Sequence, residues 1–283
     1  MEYFVNGVEG MHFLPMKVIV TLIVLCFALP AHAASAEPFE CKREDLTIRG
    51  TVFGKTEDPR PAVILSHHFT ATKEAVYGYA QALADAGYVT FAYDFCGGSA
   101  ASKSDGATED MSVETEVLDV LAVTEYVKSL PYVDADHVTL LGCSQGGMVS
   151  ALAAARHPEE YEKLILVYPA LCIPDDARAG RMLGFSFDPE NLPDILCEQP
   201  IRLGRVYVDD VIGMDVYREI APYQGPVLLL HGTKDAIVNI RYSEEASQVY
   251  KNCEYHIIEG ANHGFFSKDD EEAIGYMKAF MAR

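Results

Sequence analysis

Between the strand-like run Val138-Thr139-Leu140-Leu141 and the small-residue helical stretch Met148 to Ala155 lies the string Gly142-Cys143-Ser144-Gln145-Gly146. A strand must become a helix there within a few residues. The serine at the bend takes a strained backbone conformation, tolerated because two of its neighbours are glycines. The strain of such a nucleophile elbow holds the hydroxyl out above a sheet. The N–H of Gln145 then lies at a helix N-terminus, where it can help stabilise the oxyanion formed when Ser144 attacks a carbonyl. A G-x-S-x-G string alone also occurs in ordinary tight turns, so its weight depends on whether an acid and a histidine stand downstream.

Two later strand ends supply those partners. Pro226-Val227-Leu228-Leu229-Leu230 reads as a buried parallel strand ending in His231-Gly232-Thr233-Lys234-Asp235, and Tyr255 to Ile258 ends in Glu259-Gly260-Ala261-Asn262-His263-Gly264. Serine, acid and histidine thus occur in the order Ser144, Asp235, His263, each on a loop leaving a strand. A serine hydroxyl is a poor nucleophile at neutral pH, so a histidine must take its proton and later return it to the leaving group. His263 is the expected general base and Asp235 the carboxylate that orients its ring. Asp209, Asp210 and Asp215 are understudies for the acid, but none follows a convincing strand.

An earlier short strand, Pro61 to Ser66, runs into His67-His68-Phe69-Thr70, and Phe69 is expected to give the second oxyanion N–H. The paired histidines have no third ligand at metal-like spacing, so no metal is expected. Asp94, ending Phe91-Ala92-Tyr93-Asp94, is read as a structural acceptor for a Gly/Ser-rich loop.

The combination of His67-His68-Phe69-Thr70, Asp94-Phe95-Cys96-Gly97-Gly98-Ser99, Ser104-Asp105-Gly106, GCSQGG and GANHGF resembles bacterial α/β-hydrolases of the cinnamoyl (feruloyl) esterase type, from about residue 45 to the C-terminus. The resemblance implies an α/β-hydrolase fold, a catalytic triad of Ser144, Asp235 and His263, an oxyanion hole of Phe69 and Gln145, and no cofactor. This chain has His68 where the family usually has glycine; a side chain there would narrow the acyl pocket. The chain between the strands at 163–168 and Pro226 is far longer than an αβ connection needs, and at the C-terminal edge of a parallel sheet it reads as a lid of about residues 171–222. In the similar esterases, polar lid groups meet the phenolic end of the acyl moiety, which implies substrate contacts for Tyr207 and Asp176, with His68 beside them.

At 283 residues, 49% hydrophobic and 23% charged, the chain can build one sizeable α/β core, residues 34–283, without repeats or linkers. Strand patterns at about 46–53, 61–66, 88–93, 138–142, 163–168, 226–231 and 254–258 alternate with helical patterns near 73–86, 112–130, 147–156, 241–251 and 269–282. That alternation predicts a doubly wound, mostly parallel sheet, with Ser112 as a helix N-cap. Ahead of it, Lys17, the apolar run Val18 to Leu29 and Ala31-His32-Ala33 have the layout of a secretory signal peptide, cleaved after Ala33, with Met16 as a possible start. A run of twelve residues falls short of a membrane span. The expected location is secreted or periplasmic, without stable membrane association after cleavage.

Losing Glu2, Glu9 and Lys17 changes a net charge of −20 to −19, which excludes nucleic acid as a partner. Of the six cysteines left, Cys143 is expected to be buried and free, while Cys172 and Cys197 in the insertion suggest a lid-stapling disulfide. Cys143 is not expected to be the nucleophile, as in dienelactone hydrolases, because Ser144 holds the elbow position. The function expected is hydrolysis of small or aromatic-acyl (hydroxycinnamoyl) esters. The alternatives are a peptidase or lipase on the same triad, and a catalytically silent binding protein.

Overall fold

Strands buried on both faces read as unbroken apolar runs, and three such runs form the middle of the sheet in a computed structural model that describes residues 35–283. The strands are β1 (Ala36–Arg43), β2 (Leu46–Phe53), β3 (Arg60–Ser66), β4 (Val89–Tyr93), β5 (Val133–Cys143), β6 (Lys163–Val167), β11 (Val227–Gly232) and β12 (Cys253–Ile258). They form one sheet in the order β1-β2-β4-β3-β5-β6-β11-β12. From β4 to β12 every pairing is parallel; β1 and β2 add an antiparallel edge. The signal-peptide reading of residues 1–33 lies outside the described residues.

β1 is the strand that the patterning did not reveal. It carries Pro38, which cannot donate to a ladder and is tolerated at a sheet edge. Only Phe39 and Cys41 of it are buried. Phe39 stacks on Tyr126 at 5.3 Å and meets Phe91 edge-on at 5.6 Å. Gly50 on the partner strand leaves room for that ring, since a Cβ there would fall 2.2 Å from it.

Helices cover both faces. One core layer joins the sheet to α2 (Val113–Lys128) and α3 (Gln145–Arg156). The other joins it to α1 (Tyr77–Ala84) and α8 (Lys268–Met281). The helical pattern at 73–86 resolves into a 3-10 turn, Lys73–Val76, followed by α1. Ser112 caps α2: its hydroxyl accepts from Thr115 N while Thr115 Oγ1 accepts from Ser112 N, a reciprocal capping box.

The long connection between β6 and β11 carries α4 (Ile173–Arg178), the two-stranded pair β7 (Arg181–Met182) and β8 (Phe185–Ser186), and a second pair, β9 (Ile195–Cys197) with β10 (Leu203–Gly204). Then come α5 (Val206–Asp209) and α6 (Val216–Ile220), before α7 (Arg241–Val249) follows β11. The connection is tied to the start of α2. Ser112 Oγ donates to Asp210 at 2.5 Å, Thr108 Oγ1 donates to Arg202 O at 2.7 Å, and Gly204 passes so close that a Cβ would meet Glu109 O at 2.0 Å.

Candidate active site

Ser144 stands between β5 and α3 at φ 53°, ψ −118°, the left-handed conformation expected of an elbow. Neither glycine of the motif is needed there for a positive φ; both are needed for close approach. A Cβ on Gly142 would lie 2.1 Å from Gly146 O, and one on Gly146 would lie 2.4 Å from His67 O and 2.5 Å from Ser66 O. The strained residue is pinned from its own backbone. Its N–H donates to Val167 O at 3.0 Å, and its carbonyl accepts from Gly147, Met148 and Ala170 N–H groups.

Three residues far apart in sequence meet at this bend. His263 Nε2 lies 2.9 Å from Ser144 Oγ, and His263 Nδ1 lies 2.7 Å from Asp235 Oδ2. The tight loop after β11 saturates the Asp235 carboxylate: Ile237 and Val238 N–H groups donate to Oδ1 at 2.9 and 2.8 Å. Burial acts to raise the pKa of Asp235, but donors from His231, His263 and Val238 outweigh it and hold the group far below the ordinary carboxylate range. Asp209, Asp210 and Asp215 are spent elsewhere, on Arg205, on Ser112 and on capping α6.

His231 is a member of this cluster that sequence reasoning passed over. It is fully buried, its Nδ1 is 2.6 Å from Ser243 Oγ, and its Nε2 is 3.0 Å from Val238 O and 3.1 Å from Asp235 Oδ2. A carbonyl can only accept, so Nε2 carries a proton, while Nδ1 is hydrogen-bonded to the Ser243 hydroxyl. The ring therefore backs the carboxylate as a hydrogen-bond donor. Its signal was present in the strand-end run, four residues before Asp235. Tyr168, at φ 39°, lays its ring 4.8 Å from the His263 ring and is itself braced edge-on by Phe265.

On the opposite side, neither the Phe69 N–H nor the Gln145 N–H is taken up by a hydrogen bond among the described residues. His67 shapes the loop that carries Phe69. Its Nδ1 lies 2.9 Å from His68 O, so Nδ1 carries the proton and Nε2 accepts from Phe95 N at 3.2 Å. Burial pushes the His67 pKa down to about 4, which suits this neutral, acceptor-bearing form. Asp94 accepts from Lys73 N, Lys73 Nζ and Lys103 N at 2.8, 2.8 and 2.9 Å, locking the two neighbouring loops together. His68 is half-buried, its Nδ1 3.5 Å from Phe69 O, and burial, with nearby His263 adding to it, lowers its pKa. It does not line the cleft in front of Ser144.

This cleft has about 350 Å³ of empty space, its solvent mouth included, and holds Ser144, Phe69, Gln145, Tyr207 and Asp176 among apolar walls from Ile173, Met182 and Ile237. An open groove of about 1060 Å³ continues it past Met182, Leu183 and Phe185. Two of the residues expected to contact substrate, Tyr207 and Asp176, thus face the cleft while His68 flanks it. The Tyr207 hydroxyl, however, donates to Gln145 Oε1, and Asp176 pairs with Arg181 at 3.0 Å. The expected staple between Cys172 and Cys197 is absent, and all six described cysteines are free. Cys172 is buried at the start of α4 in the cleft wall, whereas Cys197 Sγ, on β9, lies 3.5 Å from Ile201 O.

The model of the prolyl oligopeptidase family matches residues 75–283, nearly three quarters of the chain. The chain belongs to this family. A solved structure of Est1E from Butyrivibrio proteoclasticus with ferulic acid bound is 31% identical, covering 87% of this chain and all of that one, with a TM-score of 0.79. The monoacylglycerol lipase of Mycolicibacterium smegmatis is 23% identical over 249 residues, 77% of this chain and 86% of its own. An uncharacterised protein of Pseudomonas aeruginosa is 34% identical over 95 residues, 32% of this chain. The chain spans only 24% and 30% of the first two curated relatives it matches. This family member has the α/β-hydrolase fold expected from its motifs.

Proposed function

We propose that the protein is a serine carboxylic-ester hydrolase that works through an acyl-enzyme. The observation that carries this reading is the linear relay from Ser144 Oγ to His263 to Asp235 at 2.9 and 2.7 Å, set on a strained elbow. In the proposed reaction His263 Nε2 removes the Ser144 proton as Oγ attacks the ester carbonyl. The oxyanion of the tetrahedral intermediate is met by the Phe69 and Gln145 N–H groups. Asp235 keeps Nδ1 protonated and stabilises the imidazolium. His263 then gives its proton to the departing alcohol, and a water activated by the same nitrogen hydrolyses the acyl-enzyme.

The proposed substrates are small or aromatic-acyl esters, with hydroxycinnamoyl esters favoured. Supporting this are the apolar cleft with Tyr207 and Asp176 at its wall, and the similarity to Est1E, which binds ferulic acid. The second reading is a peptidase on the same three residues, favoured by the family that the chain belongs to. We also propose that the mature protein begins near Ala34 and is secreted or periplasmic, with no nucleic-acid partner on account of its charge. N-terminal sequencing of the native protein tests the export reading, and finding Met1 or Met16 would overturn it.

The deciding assay compares methyl ferulate, p-nitrophenyl acetate, p-nitrophenyl butyrate and a prolyl p-nitroanilide, using the protein and its Ser144→Ala variant. Loss of the nucleophile is expected to lower turnover by about a millionfold. Activity on the nitrophenyl esters alone discards the feruloyl assignment, and activity on the anilide alone moves the reading to a peptidase. No activity together with no labelling by a fluorophosphonate points to a binding role.

A further inference from the structure

Gln145, which lines the cleft and whose backbone N–H is free of hydrogen bonds among the described residues, has its side chain in a buried polar chain. Gln145 is 2% exposed, Tyr207 1% and Glu116 1%. The Tyr207 hydroxyl, from α5 in the long insertion, donates to Gln145 Oε1. Gln145 Nε2 donates to Glu116 Oε2, from α2, at 2.7 Å, with Met111 Sδ at 3.7 Å as a weaker contact. Both ends of one amide are thus held, one by the insertion and one by a helix of the core. The Tyr207 ring also packs edge-on against the Phe69 ring at 5.7 Å. A single insertion side chain therefore touches both residues proposed to supply the oxyanion N–H groups.

We infer that Glu116 is a positioning residue: through the Gln145 amide it fixes the aim of the Gln145 N–H and holds Tyr207, and with it the insertion, in register with the oxyanion site. This rests on the ester-hydrolase reading. The physical argument is rigidity. Gln145 opens α3, where its N–H has no carbonyl partner to fix its direction, and the elbow beside it is strained. A side chain clamped at both heteroatoms removes the freedom of Gln145 about its own Cα. Oxyanion stabilisation depends on donors already aimed at where charge develops. Glu116 suits the task because burial holds it as a neutral acid, its pKa well above the ordinary value, so an uncharged acceptor faces Gln145.

The test measures kcat and KM on p-nitrophenyl acetate, and affinity for phenylboronic acid, whose serine adduct is tetrahedral, for the wild type, Glu116→Gln, Glu116→Leu and Gln145→Met. Deleting an oxyanion donor costs about 100- to 1000-fold in kcat, so releasing a donor without deleting it should cost about 10- to 100-fold. Glu116→Leu is expected to lose that much kcat with KM within about threefold, and boronate affinity should fall by the same factor. Glu116→Gln, which keeps an uncharged acceptor, should rescue both. A folded Glu116→Leu variant with wild-type kcat, or a Glu116→Gln variant as impaired as it, overturns the inference. If Glu116→Leu does not fold, Gln145→Met decides, because it keeps the N–H and loses both side-chain bonds; wild-type turnover there refutes the clamp. Absence of wild-type esterase activity would instead strike at the ester-hydrolase reading itself.

Discussion

Glu116 also sets a measurable term in stability. Burial is the main force raising its pKa, and Asp119 adds to it, while the Gln145 hydrogen bond and Arg43 pull the other way; the balance stands well above the ordinary glutamate value. In the unfolded chain the same carboxyl ionises at about pH 4.3. Between that value and its folded pKa, the folded protein holds one proton more than the unfolded chain. The stability contributed by a raised pKa is therefore complete below about pH 4.3 and drains away as pH rises, by about 1.4 kcal/mol per unit. Asp119, raised to about 6 chiefly by burial, adds a slope of the same sign up to that pH. Glu116→Gln has no such proton to lose, so it isolates the Glu116 part. Urea denaturation at pH 5, 6 and 7 should show the variant gaining on the wild type as pH rises, by up to about 1.4 kcal/mol per pH unit over the range in which folded Glu116 keeps its proton. Parallel profiles, or a variant that loses ground as pH rises, would refute the claim that this carboxyl is buried and neutral.

Asp235→Asn is expected to lower kcat on esters by about 10⁴-fold with little change in KM, because the amide leaves His263 Nδ1 without its carboxylate; a loss under tenfold in steady-state assays would count against that role. Gly146→Ala places a methyl 2.4 Å from His67 O, a backbone atom that cannot move aside, so chemical denaturation should show a loss at or beyond the upper end of about 1–3 kcal/mol. Lys73→Met strands the buried Asp94, whose side chain is 1% exposed, and should cost about 3–5 kcal/mol at pH 7, with part of the loss recovered in the double variant Lys73→Met, Asp94→Asn, which removes the charge and keeps an acceptor for the Lys73 N–H; no recovery would argue that the stranded charge is not the cause.

Most of the fold was legible because its central strands are buried on both faces and therefore spell out their positions as apolar runs. Val63 to Leu65, Leu164 to Val167 and Val227 to Leu230 are buried throughout. β1 escaped because an edge strand needs apolar residues on one face only, and Pro38 between Glu37 and Glu40 leaves only Phe39 and Cys41 to mark that face. Within the insertion, β7 to β10 are two or three residues long, too short for any periodicity to register. The disulfide failed for a related reason. Cysteine spacing within one segment carries no information on distance, and here one thiol faces the cleft while the other sits on a separate two-stranded pair.

The residues that come together at the site divide along the same line. Ser144, Asp235 and His263 were readable because each follows a strand in a parallel sheet, where the ends of neighbouring strands bring loops together whatever the sequence separation. Glu116 and Asp119 were not, because a carboxylate in the first turns of a helix is the expected partner of its dipole and passes for a solvated group. Yet their placement held a signal. Val113, Val117, Val120 and Val127 form the buried stripe of α2, and Glu116 lies on that stripe, three residues after Val113 and four before Val120. An acid on the apolar face of a helix must be neutralised, paired or bonded. Glu116 is bonded to the residue that follows Ser144, and Asp119, one turn on, pairs with Arg43 at 3.2 Å. Acids at such positions are therefore where a search for groups supporting an elbow should begin. The helix packed against the elbow helix is the element from which a side chain can reach the residue after the serine without entering the substrate cleft.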